Sequence, residues 1–151
     1  MTKLKQIAIM AGIGLMAALL VLPTETADAQ GQLKIIVNPD LPLVQISQTE
    51  LARIYLGKKT LWDGSNARIS PSLLDEKSPV TKQFLEDNVK KTVRQYRAYW
   101  KRRLFSGAGT APRAFSSSKQ VADFVAANPG AIGVVDVGFD DDRVKVIQLE
   151  N

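Results

Sequence analysis

The segment from Asp75 to Thr81 contains residue types that could hold a small anion. Ser78 precedes Pro79, and proline is favoured at the first position of a helix because its missing amide would have no partner there. The serine hydroxyl and the following amides, helped by the helix dipole, could bind an oxyanion. Lys77 could add a positive charge. The simpler interpretation is that Ser78 serves only as a helix N-cap.

A second candidate is the glycine-bearing stretch from Ser106 to Thr110. Successive amides in such a stretch can form an anion-binding nest, but the same residues suit any flexible link between two helices. The carboxylates Asp140, Asp141 and Asp142 stand in a row, without the alternating spacing of a calcium loop. They are better explained as a turn between two strands.

A basic run surrounds the longest predicted helix. Most of its members lie off the apolar stripe, which predicts a solvated outer face; a docking surface for an acidic partner or anionic lipid is the alternative. The run consists of Lys90, Lys91, Arg94, Arg97, Lys101, Arg102 and Arg103.

The chain contains no histidine and no cysteine. Ser-His-Asp and thiolate catalysis are therefore excluded, as are the usual zinc sites. Neither a phosphate loop nor a dinucleotide fingerprint occurs. We expect a protein that is not an enzyme and that has no cofactor and no metal site.

These candidates are placed by an alternation of strands and helices. Strands are predicted at 33–37, 68–74, 131–137 and 143–149. Helices are predicted to begin at Ser47, Ser78, Thr92 and Ser117, and Ser47, Thr92 and Ser117 each have Glu or Gln three residues later as in a capping box. The stripe of the third helix is Val93, Tyr96, Trp100 and Leu104. The order predicts one α/β domain with a mixed sheet flanked by helices.

The N-terminus is typical of a secretory signal. Lys3 and Lys5 precede an apolar run from Ile7 to Leu22, and Ala27-Asp28-Ala29 follows as a cleavage site. We therefore expect a signal peptide at 1–29 and a single domain at 30–151, and the run is shorter than a spanning helix needs. With no cysteine for a lipid anchor, the product is expected to be soluble and periplasmic and not embedded in the membrane. The net charge of +5 suits anionic partners, but export makes nucleic acid an improbable one.

Two phrases carry a family resemblance. Ile54-Tyr55-Leu56-Gly57-Lys58 is followed by Trp62, and Pro129-Gly130-Ala131-Ile132-Gly133 leads into an apolar strand. Between them, the segment 73–80 with Phe84 occupies the place of an Arg-x-x-Gly-Ser-Gly-Thr-like segment. In this order the phrases resemble one lobe of the phosphate-binding proteins of ABC transporters and of the wider type II periplasmic binding proteins.

The resemblance implies a lobe in which Ser78 matches a phosphate-binding serine. Pro79 and Val80 stand where Gly and Thr are expected, and Leu73 and Leu74 stand where the Arg is expected. Asp75 and Thr81 could compensate from adjacent positions, so the predicted ligand residues are Asp75, Lys77, Ser78 and Thr81. The chain has about half the length of a two-lobed binding protein.

Two functions follow from this resemblance. The first is weak binding of phosphate or a similar oxyanion, with a second protomer or an ABC transporter permease as the partner that completes the site. The second is a non-enzymatic interaction module that keeps the lobe fold and has lost its ligand.

Overall fold

The computed structural model describes residues 33–150. Its strands are Leu33–Val37 (β1), Gln45–Ser47 (β2), Ser70–Leu74 (β3), Arg113–Phe115 (β4), Ala131–Asp136 (β5) and Lys145–Glu150 (β6). Its helices are Gln48–Tyr55 (α1), Pro79–Phe84 (α2), Val93–Phe105 (α3) and Ser118–Ala127 (α4), and a π-helical turn at Leu85–Val89 follows α2. The expected signal peptide at 1–29 lies outside the described residues, as do residues 30–32 and 151.

One mixed sheet contains all six strands, in the order β2-β6-β1-β5-β3-β4. β1 is antiparallel to both of its neighbours, with Ile36 opposite Gly133 on β5 and opposite Val146 on β6. The pairs β2–β6, β3–β5 and β3–β4 are parallel. β1 therefore runs against the other strands, whose carboxyl ends all lie at one edge of the sheet.

Helices cover both faces of this sheet. The connection from β3 to β4, which contains α2 and α3, moves toward the β4 edge of the sheet. The connection from β4 to β5, which contains α4, moves in the opposite direction and passes β3. Right-handed crossovers therefore place α4 on the face opposite to α2 and α3. A strand covered on both faces reads as a continuous apolar run, and the β5 residues from Ala131 to Val135 are all buried. The predicted α/β lobe with a mixed sheet is confirmed.

The first family phrase ends α1 in a tightly packed turn. Gly57 adopts φ +65°, which favours glycine, and a methyl group at this position would lie 2.7 Å from the Trp100 ring. Tyr55 is fully buried and donates to the Ser72 carbonyl on β3 (2.8 Å), while its own carbonyl accepts from Tyr96 (2.8 Å) and Trp100 (3.2 Å). Burial raises the pKa of the Tyr55 phenol well above its usual value, so the hydroxyl remains a donor.

The second family phrase holds α4 against the sheet. Trp62 donates its indole N–H to the Gly130 carbonyl (2.9 Å). Gly130 adopts φ +86°, and a methyl group there would lie 2.5 Å from the Arg68 carbonyl oxygen. At Gly133 a methyl group would lie 2.6 Å from Val121 of α4. Gly130 is therefore needed for the close approach of the backbone at Arg68, and Gly133 for the close approach of α4 to the sheet.

The structure departs from the sequence prediction in several details. β2 and β4, each three residues long, were not predicted, and β4 lies between the predicted third and fourth helices, where no strand was expected. Leu104 was predicted to be buried with Tyr96 and Trp100, but 52% of its surface is exposed at the C-terminal end of α3. The Ser47 capping box is half formed: the Ser47 hydroxyl accepts from the Glu50 amide, while the Glu50 carboxylate pairs with Lys59.

Candidate functional site

The predicted ligand segment lies at the carboxyl edge of the sheet. β3 ends at Leu74, and the Asp75 amide donates to the carbonyl of Phe115, the last residue of β4 (2.8 Å). The segment therefore lies against the ends of two adjacent strands, β3 and β4, just before α2 begins. In open α/β sheets ligands bind outside the carboxyl ends of the strands, so its place in the fold agrees with a binding role.

Asp75 folds the segment into a local turn. Its side-chain carboxylate accepts from the Lys77 amide (3.0 Å), and its backbone carbonyl accepts from the Ser78 amide (3.1 Å). This arrangement is an Asx turn, in which a short acidic side chain replaces a backbone acceptor. Two amides of the segment are thus already satisfied within the protein.

Ser78 and Thr81 differ in how their hydroxyl groups are used. Ser78 has the extended backbone of an N-cap (φ −68°, ψ 129°), but its side chain makes no capping hydrogen bond. The Thr81 hydroxyl donates to the Leu74 carbonyl (2.7 Å), and the residue is buried. Lys77 is exposed. The structure therefore leaves the Ser78 hydroxyl and the Lys77 ammonium accessible and holds Thr81 within the core.

The positions that depart from the family pattern are packed into the fold. Leu73, Leu74 and Val80 belong to the hydrophobic core, each with 7% or less of its surface exposed. Pro79 is exposed at the first position of α2 and supplies no amide. Where the resemblance expects an Arg and a Thr hydroxyl, this chain thus places buried apolar side chains.

Sequence reasoning missed the serines that lie at the same edge. Ser116, Ser117 and Ser118 follow β4, and the signal for them was a row of hydroxyls before a predicted helix. The Ser117 hydroxyl accepts from the Gln120 amide (3.3 Å) and caps α4, while the Ser118 hydroxyl accepts from the Asp136 amide (3.2 Å). The Ser118 hydroxyl therefore links the first turn of α4 to the end of β5, whereas Ser117 serves only its own helix.

Two cavities lie beside α3, and the smaller one reaches the Asx turn at Glu76. The larger, about 470 Å³, is bordered by Arg68 and Arg113 near the amino ends of β3 and β4. The smaller, about 330 Å³, is apolar and is bordered by Leu85 and Thr81. Neither cavity is lined by Asp75, Lys77 or Ser78.

The second candidate stretch borders the larger cavity. Gly107 and Gly109 adopt φ +69° and φ +115°, and the residues from Ala108 to Thr110 line the cavity. The Ala108 carbonyl accepts from the Arg103 guanidinium (2.7 Å). The amides of Gly107 and Ala108 also donate to the carbonyls of Leu104 (3.1 Å) and Arg103 (3.0 Å), so these amides are engaged by α3. The role of the stretch as an anion nest stays a prediction.

Within residues 33–150, His, Cys, Asp and Glu form no group of three or more that could hold a metal ion. None of the helices in this range has both the length and the apolar character that crossing a bilayer requires.

The chain combines a reversed β1 in an otherwise parallel sheet with covering helices and a turn at the carboxyl edge, and this is the fold of one lobe of the type II periplasmic binding proteins. Solved structures agree with this class. The chain is similar to an ABC-type phosphate transport receptor from Vibrio cholerae, with 26% identity over 80% of this chain and 47% of that one, and a TM-score of 0.63. The predicted resemblance to phosphate ABC transporter binding proteins is thereby confirmed.

Two further structures share the fold at lower identity. One is described as a phosphate ABC transporter substrate-binding protein from Clostridium perfringens with bound phosphate, at 20% identity, a TM-score of 0.63, and coverage of 78% of this chain and 44% of that one. The other is PstS from Borrelia burgdorferi, at 20% identity, a TM-score of 0.60, and coverage of 80% and 47%. The chain spans less than half of the length of these proteins. No protein-family model and no curated protein matches it.

Proposed function

We propose that this chain is an exported solute-binding-like protein that binds phosphate or a similar oxyanion weakly at the carboxyl edge of its sheet. The observation that carries the proposal is the similarity to the Vibrio cholerae phosphate transport receptor over 80% of this chain. The Asx turn occupies the place where open α/β sheets bind ligands.

Four residues would form the site. The Ser78 hydroxyl would donate to the anion, and the Lys77 ammonium would add charge from an exposed position. Thr81 would hold the start of α2 against the end of β3, since it is buried and its hydroxyl is engaged by the Leu74 carbonyl. The Asp75 carboxylate would accept a hydrogen bond from the hydroxyl of a monohydrogen anion, and it already fixes the turn by accepting from the Lys77 amide.

The affinity follows from the small number of donors. Charge-assisted hydrogen bonds contribute roughly 1.5–3 kcal/mol each, and association costs at least about 4 kcal/mol of lost translational and rotational freedom. Two or three such bonds therefore leave at most roughly 2–5 kcal/mol, which corresponds to a dissociation constant on the order of 1 mM at the strongest. Tighter capture needs a second wall, which a second protomer or a transporter permease would supply.

Titration calorimetry with phosphate and with sulfate tests this site. Ser78→Ala is expected to weaken phosphate binding by about tenfold, and Lys77→Gln by a smaller factor, because each removes one charge-assisted contact. Lys82→Gln is the matched control, since Lys82 is also exposed but lies within α2. Absence of heat at millimolar phosphate would remove oxyanion binding.

A gain of affinity can be tested at Pro79. Pro79→Gly restores the amide that the family pattern has at the start of this helix. We expect tighter phosphate binding in the variant, with some loss of stability because glycine is more flexible in the unfolded chain. Unchanged binding would argue that the amides of this turn do not contact the anion.

The second function, an interaction module without ligand, is favoured by one observation. Leu74 and Val80, at the positions where the family has ligand groups, lie in the hydrophobic core. This function predicts a partner whose capture by the immobilised protein is unchanged by Ser78→Ala and by added phosphate. Capture that is lost in Ser78→Ala would favour oxyanion binding instead.

Export is tested separately. Expression of the full chain in a Gram-negative host, fractionation and mass spectrometry of the product are expected to give a periplasmic protein that begins at Gln30. A product that retains residues 1–29 would contradict a cleaved signal.

A further inference from the structure

The outer face of α3 combines basic and apolar residues. The helix contains no Asp or Glu in its thirteen residues, Val93–Phe105. Tyr96 and Trp100 are buried on its inner face. At 100° per residue, the line opposite to them passes through Arg94, Ala98, Lys101 and Phe105. Phe105 therefore lies on the outermost line of the helix, together with cations.

Phe105 ends this line, whereas the adjacent Leu104 lies about 100° away around the helix, next to the Tyr96–Trp100 stripe. Phe105 has 85% of its surface exposed and Leu104 has 52%, more than any other large apolar pair adjacent in the described sequence. Gly107, in the left-handed conformation, reverses the chain just beyond them, and the residues from Leu104 to Ala111 are all exposed. The two side chains thus form a protruding apolar tip.

The cations beside this tip are not neutralised within the described part of the chain. Arg94, Lys101 and Arg102 form no ion pair between residues 33 and 150, and all three are exposed. Arg97 is paired with Glu76, which is the one carboxylate that reaches this helix in the same range. Lys90, exposed just before the helix, extends the positive surface.

We propose that the outer face of α3 docks on an anionic lipid bilayer surface, with Phe105 and Leu104 entering below the headgroups. An acidic protein would match the cations but leave the apolar tip without an apolar partner. An apolar partner would desolvate three unpaired cations. A bilayer interface has anionic phosphodiesters above hydrocarbon, and basic helices with aromatic residues bind there.

Cosedimentation with vesicles tests the docking. Vesicles of equimolar phosphatidylglycerol and phosphatidylcholine are compared with vesicles of phosphatidylcholine alone at low ionic strength. The protein is used as recovered after expression of the full chain, and its N-terminus is determined first. Each variant is compared with the wild type of that same product, so that a contribution of residues 1–32 cancels. Binding to the anionic vesicles that falls as salt is added is expected.

Substitutions distinguish the two parts of the surface. Lys101→Gln/Arg102→Gln is expected to lower the partition coefficient on anionic vesicles about 25-fold, because each basic residue near such a surface is worth about fivefold. Phe105→Ser is expected to lower it about tenfold through lost apolar burial. The matched controls are Lys58→Gln/Lys82→Gln and Val44→Ser, which remove exposed cations and an exposed apolar side chain outside α3. Equal effects of the controls would overturn the assignment to this face.

A fluorophore can locate the contact because the chain has no cysteine. Ser106→Cys, labelled with an environment-sensitive dye, is expected to shift to the blue on anionic vesicles. Val146→Cys, labelled in the same way on β6, is expected to stay unshifted. A shift at Val146, or none at Ser106, would overturn the proposed orientation.

Competition separates a bilayer from other anions. Inorganic phosphate and glycerol phosphate, compared with chloride at matched ionic strength, are expected to leave vesicle binding unchanged. Specific release by either would point to a soluble-anion site and overturn the docking. Absence of vesicle binding together with retention on immobilised polyglutamate would overturn it in favour of an acidic partner.

Discussion

Two regions of this protein differ in how closely their residues match the family that it resembles. The packed turns at Gly57 and Gly130 keep the family phrases and hold the fold through specific contacts. The Asx turn from Asp75 to Ser78 keeps the place of the ligand segment but few of its ligand groups. The first region is dense with buried hydrogen bonds, whereas the second lies at the surface with one unused hydroxyl.

The contrast between these two regions shows that the residues of a family phrase can be constrained by packing and not by ligand binding. Tyr55 and Gly130 can be recognised in the sequence because close packing allows few alternatives at their positions. Leu74 and Val80 are compatible with the same fold although they are unlike the ligand groups expected there. A framework can thus persist where its binding site has changed, and the identity of the fold does not fix the ligand.

The comparison predicts a severe effect of Gly130→Ala. The added methyl group would lie 2.5 Å from the Arg68 carbonyl, and φ +86° is unfavourable for alanine. Backbone strain and overpacking together are expected to lower the free energy of unfolding by about 3 kcal/mol or more. Urea denaturation measures this change.

Gly64→Ala is the matched control for that substitution. Gly64 also has a positive φ, +71°, but no atom lies within 4 Å of the added methyl group. We expect a loss of about 1 kcal/mol from backbone strain alone. Equal losses at the two glycines would mean that the close approach at Gly130 is not what the second family phrase preserves.

Tyr55→Phe tests the hydrogen bonds of the first family phrase. It removes the donor to the Ser72 carbonyl and leaves that buried acceptor without its partner. The expected loss of unfolding free energy is about 1–3 kcal/mol. Tyr99→Phe is the control, because its hydroxyl bonds the Leu56 carbonyl in a partly buried setting where water can substitute. A larger loss at Tyr99 than at Tyr55 would contradict the argument from burial.

The sequence predicted the framework better than the site. Apolar periodicity and capping residues located α1, α3, α4 and the long strands. The full capping box of Thr92 and Gln95 is confirmed. β2 and β4 were missed because three-residue strands have too few positions for an alternating pattern, and pairing with β6 and β3 defines them instead. Such pairing is not visible in the local sequence.

The candidate site could be located from the sequence but its hydrogen bonds could not. Ser78 before Pro79 indicated the start of α2, and the structure agrees. That the Thr81 hydroxyl bonds the Leu74 carbonyl depends on how α2 packs against the end of β3. The prediction that Leu104 is buried was wrong for a similar reason, because the helical period gives the inner face of α3 but not how far along the helix that face is covered.

The smallest predicted effect compares two residues that precede helices. The Thr92 hydroxyl accepts from the Gln95 amide, so Thr92→Ala is expected to cost about 1 kcal/mol of unfolding free energy. Ser78 has a similar extended backbone but makes no capping bond, so Ser78→Ala should cost less than about 0.5 kcal/mol. Urea denaturation of both variants measures the difference. A loss at Ser78 as large as at Thr92 would mean that its hydroxyl serves the helix in solution, and the hydroxyl that the proposed oxyanion site relies on would then already be engaged.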